Sequence, residues 1–195
     1  MFSVNNYEYI IASLPVLVRG TGSGLSATDA DGILKEVRSL LEGRDTDLLD
    51  LILGSYEGDG PDEAFYRSMA SCRNAFARNY FAYDLDVRNA KTAYLNAALG
   101  RPDGTDEVHL SDGEFEDRAA VDAVLADTDL LSRERGLDNL MWDKAEELVQ
   151  FHVFDLDVIL SFVVRLKITD RWLQLDEETG REFFRKLVNE IRNNR

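Results

Sequence analysis

Paired carboxylates are the first residues of this chain whose types and spacing could do chemistry. Tyr80-Phe-Ala-Tyr-Asp-Leu-Asp-Val87 and Phe151-His-Val-Phe-Asp-Leu-Asp-Val158 repeat one signature 71 positions apart, with Asp84 answering to Asp155. Two carboxylates that converge can share a proton or hold a cation. Helical geometry argues against convergence, because residues i and i+2 point roughly 200° apart. Asp84 and Asp86 then flank an aromatic stripe, while Leu85 points to the opposite face and implies a second packing surface there. Asp84 and Arg88 stand at i,i+4, the favourable order for an ion pair on a helix surface.

Other reactive residues are few. His109 and His152 are the two histidines, and neither lies at the Glu-x-x-His or His-x₃-His spacing of a dinuclear carboxylate or zinc site. Cys72 is the one cysteine, so no intramolecular disulfide is expected, which suits a reducing compartment. It falls on an apolar stripe, the setting of an inert buried thiol. Gly20-Thr-Gly-Ser-Gly24 resembles a phosphate-cradling loop, but no Lys-Ser/Thr follows it, so it reads as a flexible loop. The sequence therefore predicts no catalytic, metal or cofactor site.

The elements that position these residues read as helices. Phe65, Met69, Cys72, Phe76, Tyr80, Tyr83, Val87, Ala90, Tyr94 and Ala98 follow at steps of three or four, which predicts one helix of about nine turns. Pro61 stands where a first-turn proline belongs, and Gly100-Arg-Pro102 is a stop signal. Upstream, Ile33, Val37, Leu40 and Leu41 share a face of a helix beginning near Ser26 and closed by Gly43, and a shorter helix covers about 47–53. Residues 1–18 fit strand or helix equally. Downstream, Leu137, Leu140, Met141, Leu148, Phe151, Phe154, Val158, Phe162 and Leu166 predict a second long helix. Trp142, Ile159, Val163 and Val164 widen its apolar arc, so it should be the most buried. A last amphipathic helix is expected from Asp176, carrying Phe183, Phe184, Leu187, Val188 and Ile191.

The expected fold is thus an all-α helical bundle. It forms one domain over 1–195, with long antiparallel helices in two pseudo-repeats, about 26–100 and 131–192, joined by an acidic connector at about 101–130. An internal repeat of this kind points to stacked helical units. Tyr80, Tyr83, Asp84, Asp86, Val87, Arg88 and Asn89 in the first repeat, and Phe151, Phe154, Asp155, Asp157 and Val158 in the second, are read as structural motif residues. The aromatic and Val positions should be buried.

Charge limits the partners. The chain of 195 residues carries 22 basic and 37 acidic residues, a net charge of −15, which disfavours nucleic acid and anionic membrane surfaces. From Asp103 to Asp129 ten acidic residues face Arg118 alone. That stretch is either a solvated connector or an acidic face for a basic partner, with Asp106, Glu107, Asp112 and Glu114 as candidate partner-binding residues. No apolar run approaches the roughly 20 residues of a membrane span, and the start lacks the basic region of a signal peptide. A cytoplasmic location is expected.

The motif residues carry a family resemblance. Tyr83-Asp-Leu-Asp-Val-Arg-Asn89 resembles the aromatic/acidic helix of the V/A-type ATPase C subunit, called d in eukaryotic enzymes. Arg135-Gly-Leu-Asp-Asn-Leu-Met-Trp142, the stretch from Phe154 to Trp172, and Glu182-Phe-Phe-Arg-Lys-Leu-Val188 are similar to its closing part. Tyr7-Glu-Tyr-Ile-Ile-Ala-Ser-Leu-Pro15 is similar to the start of a short bacterial family of unassigned function encoded among V-type ATPase genes. The resemblance implies a non-catalytic helical subunit that couples the central shaft to the membrane rotor ring, peripheral to the membrane through its complex. Full C subunits have three helical repeats, whereas two are readable here. The alternatives are a free-standing helical adaptor and a small-ligand-binding protein on the same scaffold.

Overall fold

The computed structural model describes residues 6–19, 27–58, 60–110 and 113–174. The glycine-rich loop at 20–24, Asp112 and the helix expected from Asp176 lie outside them. Among the described residues there are eight α-helices and no strand: α1 (Tyr7–Ser13), α2 (Ala27–Leu40), α3 (Arg44–Gly54), α4 (Glu63–Ala70), α5 (Ala75–Leu99), α6 (Arg118–Leu125), α7 (Leu130–Glu147) and α8 (Leu156–Gln174). The all-α expectation is met. Within the ambiguous N-terminal stretch, Tyr7–Ser13 forms a helix, which Asn6 caps by accepting from the Tyr9 amide.

Both long helices expected from the apolar spacing are broken, and each break has a local cause. The first ends at Ala70 and restarts at Ala75, because the Asn74 side chain accepts from the Ala77 amide at 2.7 Å and opens a new helix. Cys72 consequently lies in the turn, half-buried, rather than on a helical stripe. Pro61 precedes the N-cap Asp62 instead of occupying the first turn. The expected stop is present: Gly100 adopts φ 64°, ψ 29°, the left-handed geometry open to glycine without a Cβ penalty.

The second break separates α7 from α8. Asp155 accepts from the Val158 amide at 3.2 Å, satisfying an orphan donor at the start of α8. The equivalent Asp84 lies well inside α5 and takes side-chain donors instead. The two copies of the motif therefore sit in unlike surroundings. Tyr80, Tyr83 and Val87 are buried, but Phe151 and Phe154 are 88% and 54% exposed on the turn before α8, and Val158 is half-buried. Burial of Phe151 and Phe154 is thus a sequence expectation that the structure overturns, because the helical spacing runs on through residues whose backbone turns.

Three long helices form the frame. Lys91 pairs with Glu134, and the Lys144 ammonium lies over the Tyr83 ring, so α5 and α7 run antiparallel. Arg165 reaches Glu146 while Arg171 reaches Asp138, so α7 and α8 also run antiparallel. α5 and α8 are parallel, their starts joined by the Asn74 Nδ2 donation to Asp157. The second long helix expected from the spacing is thus split in direction: its first part, α7, runs antiparallel to α5, and its second part, α8, turns back and runs parallel to it.

α8 packs on α1, α2, α5 and α7, and α4 and α6 complete the cover of α5. Ile159, Leu160, Val163, Val164 and Leu166 of α8 are fully buried, consistent with the most apolar helix lying innermost. On α5, Leu85 and Phe81 are buried as well as the stripe, which gives the second packing surface that Leu85 implied. The acidic stretch is not merely a connector, since it contains α6, whose Val121 and Leu125 are buried in the core.

Candidate functional site

Asp84 and Asp86 open onto different surfaces of α5, and each surface holds a cavity. On the Asp84 side, a cleft of about 330 Å³ runs between α5, α7 and α8. Asp84 accepts from the Tyr66 hydroxyl at 2.5 Å and from Arg88 Nε at 2.9 Å, so the expected i,i+4 pair is present and extended by a third residue from α4. Its side chain is only 17% exposed, against 48% for Arg88. The carboxylate is therefore better shielded than that of an ordinary surface pair.

Across the cleft, Asp138 accepts from Trp172 Nε1 and from Arg171 Nη2, both at 2.7 Å. Burial raises the Asp138 pKa, against the pull of Arg171 and the Trp172 indole. Asp170, one turn from Gln174, accepts from Gln174 Nε2 at 3.1 Å and pairs with Lys167 at 3.4 Å. Arg88, Lys167 and Arg171 thus balance Asp84, Asp138 and Asp170. Such a compensated wall can bind a ligand carrying both charges. Among the described residues, no group of His, Cys, Asp and Glu is placed to hold a metal ion. None of their helices is long and apolar enough to cross a membrane.

On the Asp86 side, α5 faces the segment that follows it. Asn89 donates Nδ2 to the Val108 carbonyl at 2.8 Å and accepts from the Val108 amide at 3.0 Å through Oδ1. Asn96, buried, donates to the Thr105 carbonyl at 2.6 Å. The two asparagines satisfy backbone groups of an irregular segment and hold it along α5. A groove of about 210 Å³ remains beside them, floored by Phe81 and Leu85 and walled by Val108 and Leu110. Asp86 lines this groove and also a neighbouring bay with Glu114, Glu116 and Asp117.

The residues singled out by sequence are therefore dispersed. Asp155 receives His152 Nδ1 at 2.6 Å, and hydrogen bonding to that carboxylate raises the His152 pKa. His152 is exposed on the turn, not packed in the core. Among the partner-binding candidates, Asp106 is exposed at φ 62° and lies 3.8 Å from Arg101, Glu107 faces His109 at 3.5 Å, and Glu114 is exposed beside the bay. Sequence reasoning missed Tyr66, Asp138, Lys167, Asp170 and Arg171. Their shared signal, polar groups interrupting buried helical faces, acquires meaning only once the three helices are placed.

No curated protein and no solved structure matches the chain. A family model described as a protein of unknown function, DUF2764, matches residues 62–195, which span the chain from α4 onward and include both Asp-Leu-Asp motifs and the groove, so the chain belongs to the DUF2764 family.

Proposed function

We propose that this protein is a non-catalytic component of a V/A-type rotary ATPase, coupling the central shaft to the membrane rotor ring on a helical scaffold like that of the C subunit. The observation that carries the reading is the Tyr83–Asn89 motif, whose resemblance to the C subunit helix falls on the longest helix among the described residues. Tyr83, Val87 and Leu85 bury opposite sides of that helix against its neighbours. A helix braced on both sides resists bending, which suits a part that transmits torque. The acidic stretch supplies the partner surface. Asp103, Glu114 and Glu116 are exposed and have no ion-pair partner among the described residues. In this role the protein is peripheral to the membrane and held there by its complex.

A second reading, a small-ligand-binding protein on the same scaffold, is favoured by the compensated cleft between α5, α7 and α8. One experiment separates the two. The protein is used to pull down purified shaft and membrane-ring subunits at low and high salt. Binding at low salt that weakens as the Debye length falls from about 10 Å at 0.1 M to about 3 Å at 1 M is the expected result. Neutralising Asp106, Glu107, Asp112 and Glu114 together should slow association more than it speeds dissociation. Absence of binding to either subunit at low salt overturns the rotor assignment. Binding indifferent to salt and to the four substitutions keeps the assignment and discards the acidic face.

A further inference from the structure

Asp86 is a half-buried carboxylate to which the described residues offer neither a donor nor a counter-ion. It lies in the middle of α5. Burial raises its pKa, and nothing offsets that desolvation. Its sequence neighbour Asp84 has two donors. The repeat partner Asp157 has the Asn74 amide.

Among the described residues, the basic side chains lining the groove and bay beside Asp86 are engaged with groups other than Asp86. Arg78 donates Nη1 to the Cys72 carbonyl at 2.7 Å. His109 faces Glu107 at 3.5 Å. Lys144 pairs with Glu147 at 2.6 Å and with Asp117 at 3.8 Å, and lies over the Tyr83 ring. The adjoining bay adds Glu114 and Glu116 to the same side of the scale, Asp117 being paired with Lys144. The surroundings thus hold an excess of negative potential around one unpaired carboxylate.

Apolar surface lies directly against it. Phe81, Leu85, Val108 and Leu110 line the groove whose edge Asp86 occupies. The double hydrogen bond between Asn89 and Val108 fixes one wall to the helix, so the groove exists before anything enters it. A slot of this kind, with an apolar floor and an anion at one side, matches a side chain with a hydrocarbon stem and a cationic head.

We propose that the groove between α5 and residues 105–110 receives a lysine or arginine side chain of a partner protein, its cationic head on Asp86 and its stem along Phe81, Leu85 and Val108. The inference goes beyond the rotor assignment, because it names the group that is recognised whatever protein carries it. An unpaired carboxylate beside apolar surface is a stability cost that the bound head group removes by supplying a charge-assisted hydrogen bond.

The test is an NMR titration of the isotopically labelled full chain with a blocked leucine–lysine–leucine tripeptide. Saturable shifts at Leu85, Asp86 and Val108 are expected, with affinity at least about tenfold above that of the norleucine analogue, which lacks the charge. Asp86→Asn should reduce binding of the lysine peptide to the level of that analogue. Glu116→Gln removes the same charge from the bay and should change affinity by less than about threefold. Thermal melts establish that both variants remain folded. Equal binding of the charged and neutral peptides, or an Asp86→Asn effect no larger than that of Glu116→Gln, overturns the proposal. Shifts confined to residues 114–117, or no saturable binding, overturn it as well. Butylamine that binds as tightly as the tripeptide would assign the groove to a small amine and overturn the protein-segment reading.

Discussion

Tyr66 donates its hydroxyl to Asp84 across the break between α4 and α5, and Arg88 holds the same carboxylate from one turn further along. A contact between residues 18 positions apart thereby shields what would otherwise be a surface ion pair. Asp84→Asn should destabilise the protein by about 1.5–3 kcal/mol, the range for a hydrogen bond to a charged group. Tyr66→Phe should cost about 1 kcal/mol. The double variant should fall short of the sum by at least about 0.5 kcal/mol, because both changes remove one interaction. Urea unfolding of the three variants measures this, and strict additivity would dissolve the triad into independent contacts.

Burial separates two aromatic residues that share one motif position. Tyr80 is 2% exposed and stacks on Phe76 with centroids 5.4 Å apart, whereas Phe151 is 88% exposed. Tyr80→Ala should cost about 3–5 kcal/mol. Phe151→Ser should stay within about 0.5 kcal/mol of the parent. Comparable losses from the two substitutions would contradict the placement of the α7–α8 turn.

Gly136 lies inside α7, where alanine would ordinarily gain about 1 kcal/mol of helix propensity. Here a Cβ would come within 2.5 Å of Val124 Cγ1 on α6. Valine is stiff at χ1 and cannot swing clear cheaply. Gly136→Ala should therefore destabilise by about 1–3 kcal/mol despite the better propensity. Combining it with Val124→Ala removes the obstruction, so the double variant should be at least as stable as Val124→Ala alone. A stabilising Gly136→Ala in the parent background would show that the two helices are not in contact there.

Asp86 gives a pH dependence of defined sign. Its folded pKa is raised by burial, so the folded state binds this proton more tightly than the unfolded chain does. The charged form thus costs stability above the folded pKa. That cost shrinks as pH falls through the window and is gone below the unfolded value of about 3.9. Asp86→Asn should stabilise the protein at neutral pH by on the order of 1 kcal/mol, the scale of one unpaired polar group. The gain over the parent should diminish as unfolding is measured at successively more acidic pH. A loss of stability at neutral pH, or a gain independent of pH, would mean that the carboxylate has a partner in the fold.

The sequence by itself determined the helical class, the stop at Gly100, the divergence of Asp84 from Asp86 and the Asp84–Arg88 pair. Each of these depends on neighbours within about four residues, and that is the range over which helical geometry and capping act. Periodicity could not show where a helix breaks, because Asn74 and Asp155 are ordinary polar residues until their side chains take the amides of Ala77 and Val158. It gave Phe151 and Phe154 the same weight as Tyr80 and Tyr83, although burial is set by which elements arrive to cover a face. Only the tertiary structure decided that Tyr66 reaches Asp84, that α5 and α8 start side by side, and that Asn89 clamps Val108. It also decided that Asp86 is left without a donor among the described residues, since hydrogen bonding between helices depends on distances that no local pattern encodes.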